Sequence, residues 1–406
     1  MDAAERSAEL SRLERSSHTA FIEGSTLYVW GGYQVAGRQD VMLPTDELWL
    51  CDLDSGAWEW RKISGDAPPA GFCGARVNGE LYVFAGCEPE GYASEMFSVD
   101  LCSERSTSYS WRKLTDTKGT TPSPRNKHSC WVHRDRLIFF GGYSCKTIGE
   151  VRNTSTSNFV VEEMSWTTIG NALFRCWGWS NEVTVFDTTT ATWSTPETQG
   201  PAPAPRGCSA SAVLGNKGYV SGGVEKAELD MFCLDLDTWT WTQFDVSPSR
   251  PSPLGRSMFT VTPTSDHTLF VYGGLGTDGN TLNDAWQFDT QTKEWNKMPN
   301  PHEDKPRVCH TACLGRDDDV VVFGGSSNMC FLMDSVAILR SPSENHCRDV
   351  LVFQTQPYAL FRLCEDLIGR NPERFRKRLS WLPPKMHQKI NKRVSFFCDT
   401  KPALTA

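Results

Sequence analysis

The sequence predicts an all-β protein, a six-bladed β-propeller that ends in a short α-helical tail. Three observations carry that prediction. Six short apolar runs each stop at small residues: LYVWGG ending at Gly32, LYVFAG at Gly86, LIFFGG at Gly142, GYVSGG at Gly223, LFVYGG at Gly274 and VVVFGG at Gly325. Most are followed by a second strand-like run and then a tryptophan, at Trp58, Trp111, Trp193, Trp239 with Trp241, and Trp295. Beyond Pro357 the strand pattern gives way to apolar residues at helical spacing.

The repeat length is roughly 50 residues, the spacing of kelch repeats. One four-stranded sheet cannot bury both faces alone, whereas sheets stacked radially cover one another and leave only short edges. The Gly pair ends an inner strand, where blades crowd near the axis and a side chain would clash. The later Trp lies on an outer strand and packs between neighbouring blades. Five repeats open with an arginine, Arg15, Arg125, Arg206, Arg256 and Arg307, and repeat two has Gly71 in the equivalent region. The third repeat is irregular: KTIGEVRNTSTSNFVVEEMSWTTIGNALFRC intervenes between Gly142 and Trp177. An insertion of this length is expected to be a functional loop or a disordered one. The expected organisation is a propeller over 1–357, a helical region over 358–395 and a disordered end over 396–406.

Composition narrows the function. A formal net charge of -8 argues against general nucleic-acid binding, which needs a basic face. The 15 cysteines are scattered, with no paired CxxC and no Cys/His zinc spacing, and the opening MDAAERSAEL is no secretory signal. Reduced thiols in the cytoplasm or nucleus are the expectation. The longest apolar runs are strand-sized, so no membrane span is expected. No nucleophile elbow, phosphate loop or HExxH pattern is present, and the chain reads as non-catalytic, without cofactor or metal. Three of the 8 histidines, His18, His128 and His310, stand near the starts of different repeats. They could converge on a copper ion or hydrogen-bond within the repeat-opening strands.

In the tail, Leu360, Cys364 and Ile368 fall at i, i+4 and i+8 and line one helical stripe. Leu382, Met386 and Ile390 form a second stripe, and Pro383 suits the first turn of its helix. Both helices could simply cap the propeller. The basic residues from Arg370 to Arg393 read as a solvated helical face.

As an ordered pair, these segments resemble the tail of the kelch-repeat substrate receptors of cullin-2 ubiquitin ligases. Ala359, Leu360, Cys364 and Ile368 match the small-Leu-xxx-Cys-xxx-aliphatic helix that binds elongin C, the partner of elongin B, in that family. Leu382, Pro383, Met386 and Ile390 match the apolar-Pro-xx-apolar-xxx-apolar segment that selects cullin-2. The resemblance covers nearly the whole chain, through LYVWGGY, VLGNKGYVSGG, LDTWTW, RVCHTACLG and HCRDVLVFQTQPYALFR followed by LPPK. It implies a substrate-recognition subunit whose propeller reads the C-termini of target proteins, notably ones ending in diglycine. A terminal carboxylate needs cationic donors, for which the arginine fork is suited.

At those positions the chain departs from the family. The arginine after the fourth Gly pair is Val224, and the loop that should carry a second reads VEKAELD to Asp230. Two aromatic-bearing motifs become Arg256-Ser257-Met258-Phe259 and Arg307-Val308-Cys309-His310, while Gly178-Trp179 is retained. Diglycine binding is therefore expected to be weak or absent. Trp179, Arg206, Arg256, Ser257 and Arg307 remain as candidate degron contacts. The alternative for the arginines is bonding of loop carbonyls near the axis, and for Trp179 inter-blade packing. The competing reading of the whole chain is a kelch interaction scaffold with no ligase role.

Overall fold

The computed structural model describes residues 11–36, 39–68, 73–88, 91–101, 109–167, 173–223, 229–245, 251–328, 346–379 and 381–399. Its strands form the expected six-bladed ring, followed by a helical tail. Blade four is the plainest blade: Ala210–Leu214, Lys217–Ser221, Met231–Asp235 and Thr240–Phe244 pair antiparallel in sequence order. Six apolar cores fill the six clefts between neighbouring blades. The outer-strand tryptophans are part of this packing. Trp193 of blade three packs tilted against Phe84 of blade two, ring centres 4.8 Å apart, and Trp58 of blade one lies 5.0 Å from Phe323 of blade six.

Crowding at the axis explains the Gly pairs. Gly141 and Gly142 both take left-handed backbone, φ 67° and 93°, and a Cβ on Gly142 would stand 2.6 Å from the Asn126 carbonyl oxygen. In blade two Ala85 accepts the first of these positions at φ 61°.

Two features depart from six equal blades. Blades one and two merge into one eight-stranded sheet, because the outer strand Ala57–Gly65 runs parallel to Tyr109–Lys113. The indole N–H groups of Trp30 and Trp111 both donate to Thr45 O, at 2.8 and 3.0 Å, across that seam. The third-repeat insert is ordered over its described residues. It forms the helix Ile148–Asn153, capped reciprocally by Thr147 and Glu150, and a strand Phe159–Thr167 paired with the long strand Leu173–Asp187.

The ring closes between blades six and one through His346. Its Nδ1 lies 2.8 Å from Ser16 Oγ, and its Nε2 lies 3.0 Å from the Val35 amide. The Arg15 amide adds a bond to Cys347 O.

The tail holds three helices rather than two: Leu360–Arg370, Pro372–Leu379 and Pro384–Asp399. Helix begins at Pro384, one residue after the proline expected in its first turn, and the last helix runs past 395 to Asp399. The tail seats on hairpin turns of blades one and six. Arg362 pairs with Asp317 at 2.9 Å, Lys392 with Asp52 at 2.6 Å, and Phe396 lies against Gly56. Among the described residues, no helix is long and apolar enough to cross a membrane.

Candidate functional site: an axial channel and an exposed tail stripe

Blade stacking leaves a central cavity of about 750 Å³, and every blade contributes to its wall. The residue two positions after each repeat opening lines it: Ser17, Lys127, Cys208, Met258 and Cys309, with Cys73 from blade two. Five of these six take left-handed backbone, with φ between 51° and 58°. That conformation costs roughly 1 kcal/mol or more for a residue with a Cβ. A ring of backbone hydrogen bonds offsets it. The Cys208 amide donates to Lys127 O at 3.0 Å, Met258 to Cys208 O at 2.9 Å, Cys309 to Met258 O at 3.0 Å and Ser17 to Cys309 O at 2.8 Å. Sequence reasoning missed this ring, although its place two residues past each opening arginine was regular.

The ring gives the constriction its chemistry. Three successive members carry sulfur, and Cys309 Sγ lies 3.5 Å from Met258 Sδ. Lys127 is the only Lys or Arg among the described lining residues. Its Nζ sits 5.8 Å from the centre of the Trp179 ring, which Tyr143 meets edge-on at 4.9 Å. The half-buried Trp179 donates its indole N–H to Glu162 of the insert strand.

The structure reassigns the candidate arginines. Arg206, Arg256 and Arg307 are 1–2% exposed, and none lines the channel. Arg206 donates to Gly222 O and Asp230, both at 3.0 Å, and Arg256 grips Asp284 at 2.6 and 3.0 Å and Gly273 O at 3.0 Å. Arg307 donates to Pro306 O and Asp349, each at 2.9 Å. Arg15 and Arg125 reach Gly31 O and Gly141 O in the same way as Arg206 and Arg256 reach theirs. A buried guanidinium must be paired, and these are paired within the scaffold: all but Arg307 hold a Gly-pair turn, and Arg307 is held by Asp349. Ser257 pairs with Leu275 in a short ladder, and its neighbour Met258 takes the wall. Val224 lies outside the described residues. Met258, Phe259 and Cys309, where the chain departs from the family it resembles, line the channel, as does the retained His310.

The three histidines do not share a metal: among the described residues no group of His, Cys, Asp and Glu could hold one. His18 Nε2 lies 2.8 Å from Thr311 Oγ1 and His310 Nε2 lies 2.9 Å from Thr260 Oγ1, each bridging to the preceding blade. Burial holds both imidazoles neutral, with His310 pushed down to about 3.

The tail offers the second surface. Leu360 is 77% exposed, and Leu363, Cys364 and Leu367 stand exposed with it, so the apolar stripe runs i, i+3, i+4, i+7. Ala359 is exposed at the helix start, whereas Ile368 is half-buried. Of the second stripe, Pro383 and Met386 are exposed and Leu382 is half-buried, but Ile390 is only 6% exposed. That residue faces inward where the third tail helix packs on the first, so the two expected stripes are not equally free.

A family model described as the KLHDC2/KLHL20/DRC7 Kelch-repeats domain matches residues 17–262, 170–325 and 230–357. Human Kelch domain-containing protein 1 is 42% identical over 389 residues, covering 95% of this chain and 91% of that protein. The chain belongs to this kelch-repeat family. Kelch domain-containing protein 2 of Bos taurus is 36% identical over 397 residues, covering 95% of this chain and 92% of that protein. Kelch-repeat domains are in general non-enzymatic interaction modules.

Proposed function

We propose that this kelch-repeat protein is the substrate-recognition subunit of a ubiquitin ligase built on elongin B, elongin C and cullin-2. The observation that carries the reading is the stripe of Leu360, Leu363, Cys364 and Leu367. It is apolar and exposed on a helix whose other face is tied to the propeller by Arg362 and to the third tail helix by Asp366, Glu365 and Gly369. A helix serving only as a cap would turn its apolar residues inward. Here charged residues hold the helix down and the leucines face solvent, which is the arrangement of a surface awaiting a partner.

The propeller is then the reader. Its channel is closed around by thiols, a thioether and apolar walls, with one ammonium at Lys127 and the Trp179 ring beside it. This suits an extended peptide end with a single terminal carboxylate. The lack of a channel-facing arginine fork among the described residues supports an end other than diglycine.

Co-precipitation with purified elongin B, elongin C and cullin-2 tests the ligase reading. The wild type is expected to bring down all three, and a Leu360→Ser, Cys364→Phe double variant none. If neither protein binds while the propeller stays folded, the chain is an interaction scaffold and the tail its cap.

A further inference from the structure

The backbone ring around the channel sets an ammonium beside a sulfur wall. Its hydrogen bonds run in order from Lys127 through Cys208, Met258 and Cys309 to Ser17, each amide donating to the carbonyl of the member before it. Each bond joins neighbouring members, so three sulfur side chains follow Lys127 without a gap. All four side chains are open to a ligand: Lys127 is exposed, and Cys208, Met258 and Cys309 are half-buried. The 3.5 Å contact between Cys309 and Met258 makes their part of the wall one continuous soft surface.

The polar groups beside this arc are engaged elsewhere. The amides of Cys208, Met258 and Cys309 are used within the ring. His18 and His310 are neutral, with Nε2 against Thr311 and Thr260, and the Ser129 hydroxyl donates to Ser209. Asn126 and His128, which hold buried atoms without a partner, stand beside Lys127 on blade three and not in the arc. Burial raises the Cys208 thiol and pushes Cys309 up to about 12, so both stay protonated and behave as small apolar groups. A ligand across the ring therefore meets a cation at one point and an apolar arc next to it. The cation suits a free carboxylate. The arc suits an apolar group, because a charged or hydroxylated side chain would lose water there without gaining a partner.

On the reading that the channel receives a peptide end, we propose that it selects C-termini whose last residue is a large apolar one such as leucine, methionine or phenylalanine. The carboxylate lies on Lys127 and the side chain against Cys208, Met258 and Cys309. Both groups leave the same Cα, so their two contacts must be adjacent, as Lys127 and Cys208 are in the ring. The thioether of Met258 is flexible and polarisable, and it adjusts to aliphatic and aromatic ends alike. A terminal glycine would leave the arc unfilled.

The test is binding of the purified full chain to pools of short peptides, randomised except at the last residue. That residue is Leu, Met, Phe, Gly, Asp or Lys, and each pool is made as free acid and as C-terminal amide. Free acids ending in Leu, Met or Phe should bind about tenfold or more tighter than those ending in Gly, Asp or Lys. Met258→Asn, a residue that tolerates left-handed backbone, should erase this preference while Gly-ended acids keep their affinity. Should that variant fail to fold, the wild-type ranking decides. If acids bind better than amides but the last residue makes no difference, or glycine binds best, the proposal falls and the channel remains a reader of peptide ends. If acids and amides bind alike, or no pool binds, both fall.

Discussion

Arg362 on the first tail helix points its guanidinium at Asp317 in a turn of blade six, 2.9 Å away, and its Nε lies 3.3 Å from Asp366 on its own helix. Asp366 in turn meets Arg393 of the third tail helix at 2.6 Å. This chain of charges runs from propeller to first helix to third helix, and it sets which face of the first helix looks outward. Arg362→Ala should loosen the tail by about 2 kcal/mol, between the values for exposed and buried pairs. Hydrogen exchange checks this. The amides of Leu360–Arg370 should exchange faster while those of Lys217–Ser221 in blade four keep their protection. Equal loss in both regions would mean the pair supports the whole molecule.

Arg256 provides a sharper separation of scaffold from site. Burial raises the Asp284 carboxyl, but the Arg256 guanidinium more than reverses this and holds it below the usual carboxylate range. Arg256→Ala takes the cation from that carboxylate, which keeps only its hydrogen bonds such as the Trp286 indole N–H, and the donor from the Gly273 carbonyl, and should cost about 3–5 kcal/mol in a denaturant titration. Arg256→Lys keeps the charge but loses the fork, and should cost about 1–2 kcal/mol. A scaffold role predicts that the folded Lys variant retains the wild-type affinity for a channel ligand. Loss of binding at nearly unchanged stability would return Arg256 to the site.

Much of the fold was legible because geometry imposes residue type. A position like Gly142 needs φ 93° and has a carbonyl where a Cβ would be, so glycine recurs there and the repeat shows itself. Trp193 is similarly forced by the width of the cleft it fills. The channel ring was hidden for the opposite reason. Ser17, Lys127, Cys208, Met258 and Cys309 share a backbone conformation held by hydrogen bonds, and such a position places no common demand on the side chain. The repeat-opening arginines pointed to the scaffold by their very repetition, since a contact repeated in five of six blades is seldom a contact with one asymmetric ligand. In the tail, helical spacing identified amphipathic helices but not what lies against them. Nothing near Ile390 in sequence announces that it is buried, and nothing near Asp317 announces Arg362.

His346 gives a pH dependence of definite sign. It is buried and neutral in the fold, where burial pushes it down to about 4. An unfolded histidine protonates near pH ~6.5. The stabilisation is therefore complete above about pH 6.5 and drains away as pH falls toward the folded value, by about 3 kcal/mol in all. His346→Gln, which removes the proton site, should be less stable than wild type near neutrality but lose less on acidification. Urea midpoints at about pH 7, 6 and 5 should converge between the two proteins. Parallel curves would show that the ring-closing imidazole does not titrate on unfolding.

The channel cation supplies the last prediction. Lys127 is the one Lys or Arg side chain among the described lining residues, and the rim that fixes it includes the Trp179 ring 5.8 Å from its Nζ. If a peptide terminus enters here, its carboxylate must meet this ammonium, because the nearby arginines are bound to Asp230, Asp284 and Asp349. In a library of peptides varied at the last two positions, free acids should bind more tightly than their C-terminal amides. Lys127→Ala should cost the free acids about tenfold or more in affinity, the scale of one charge-assisted hydrogen bond, and leave the amides nearly unchanged. Among those peptides, one ending in Gly-Gly should bind no better than about micromolar, near 8 kcal/mol. Sub-micromolar binding of a diglycine end would show that the single ammonium replaces the arginine fork, and the inference from Met258, Cys309 and the lost arginines would fall.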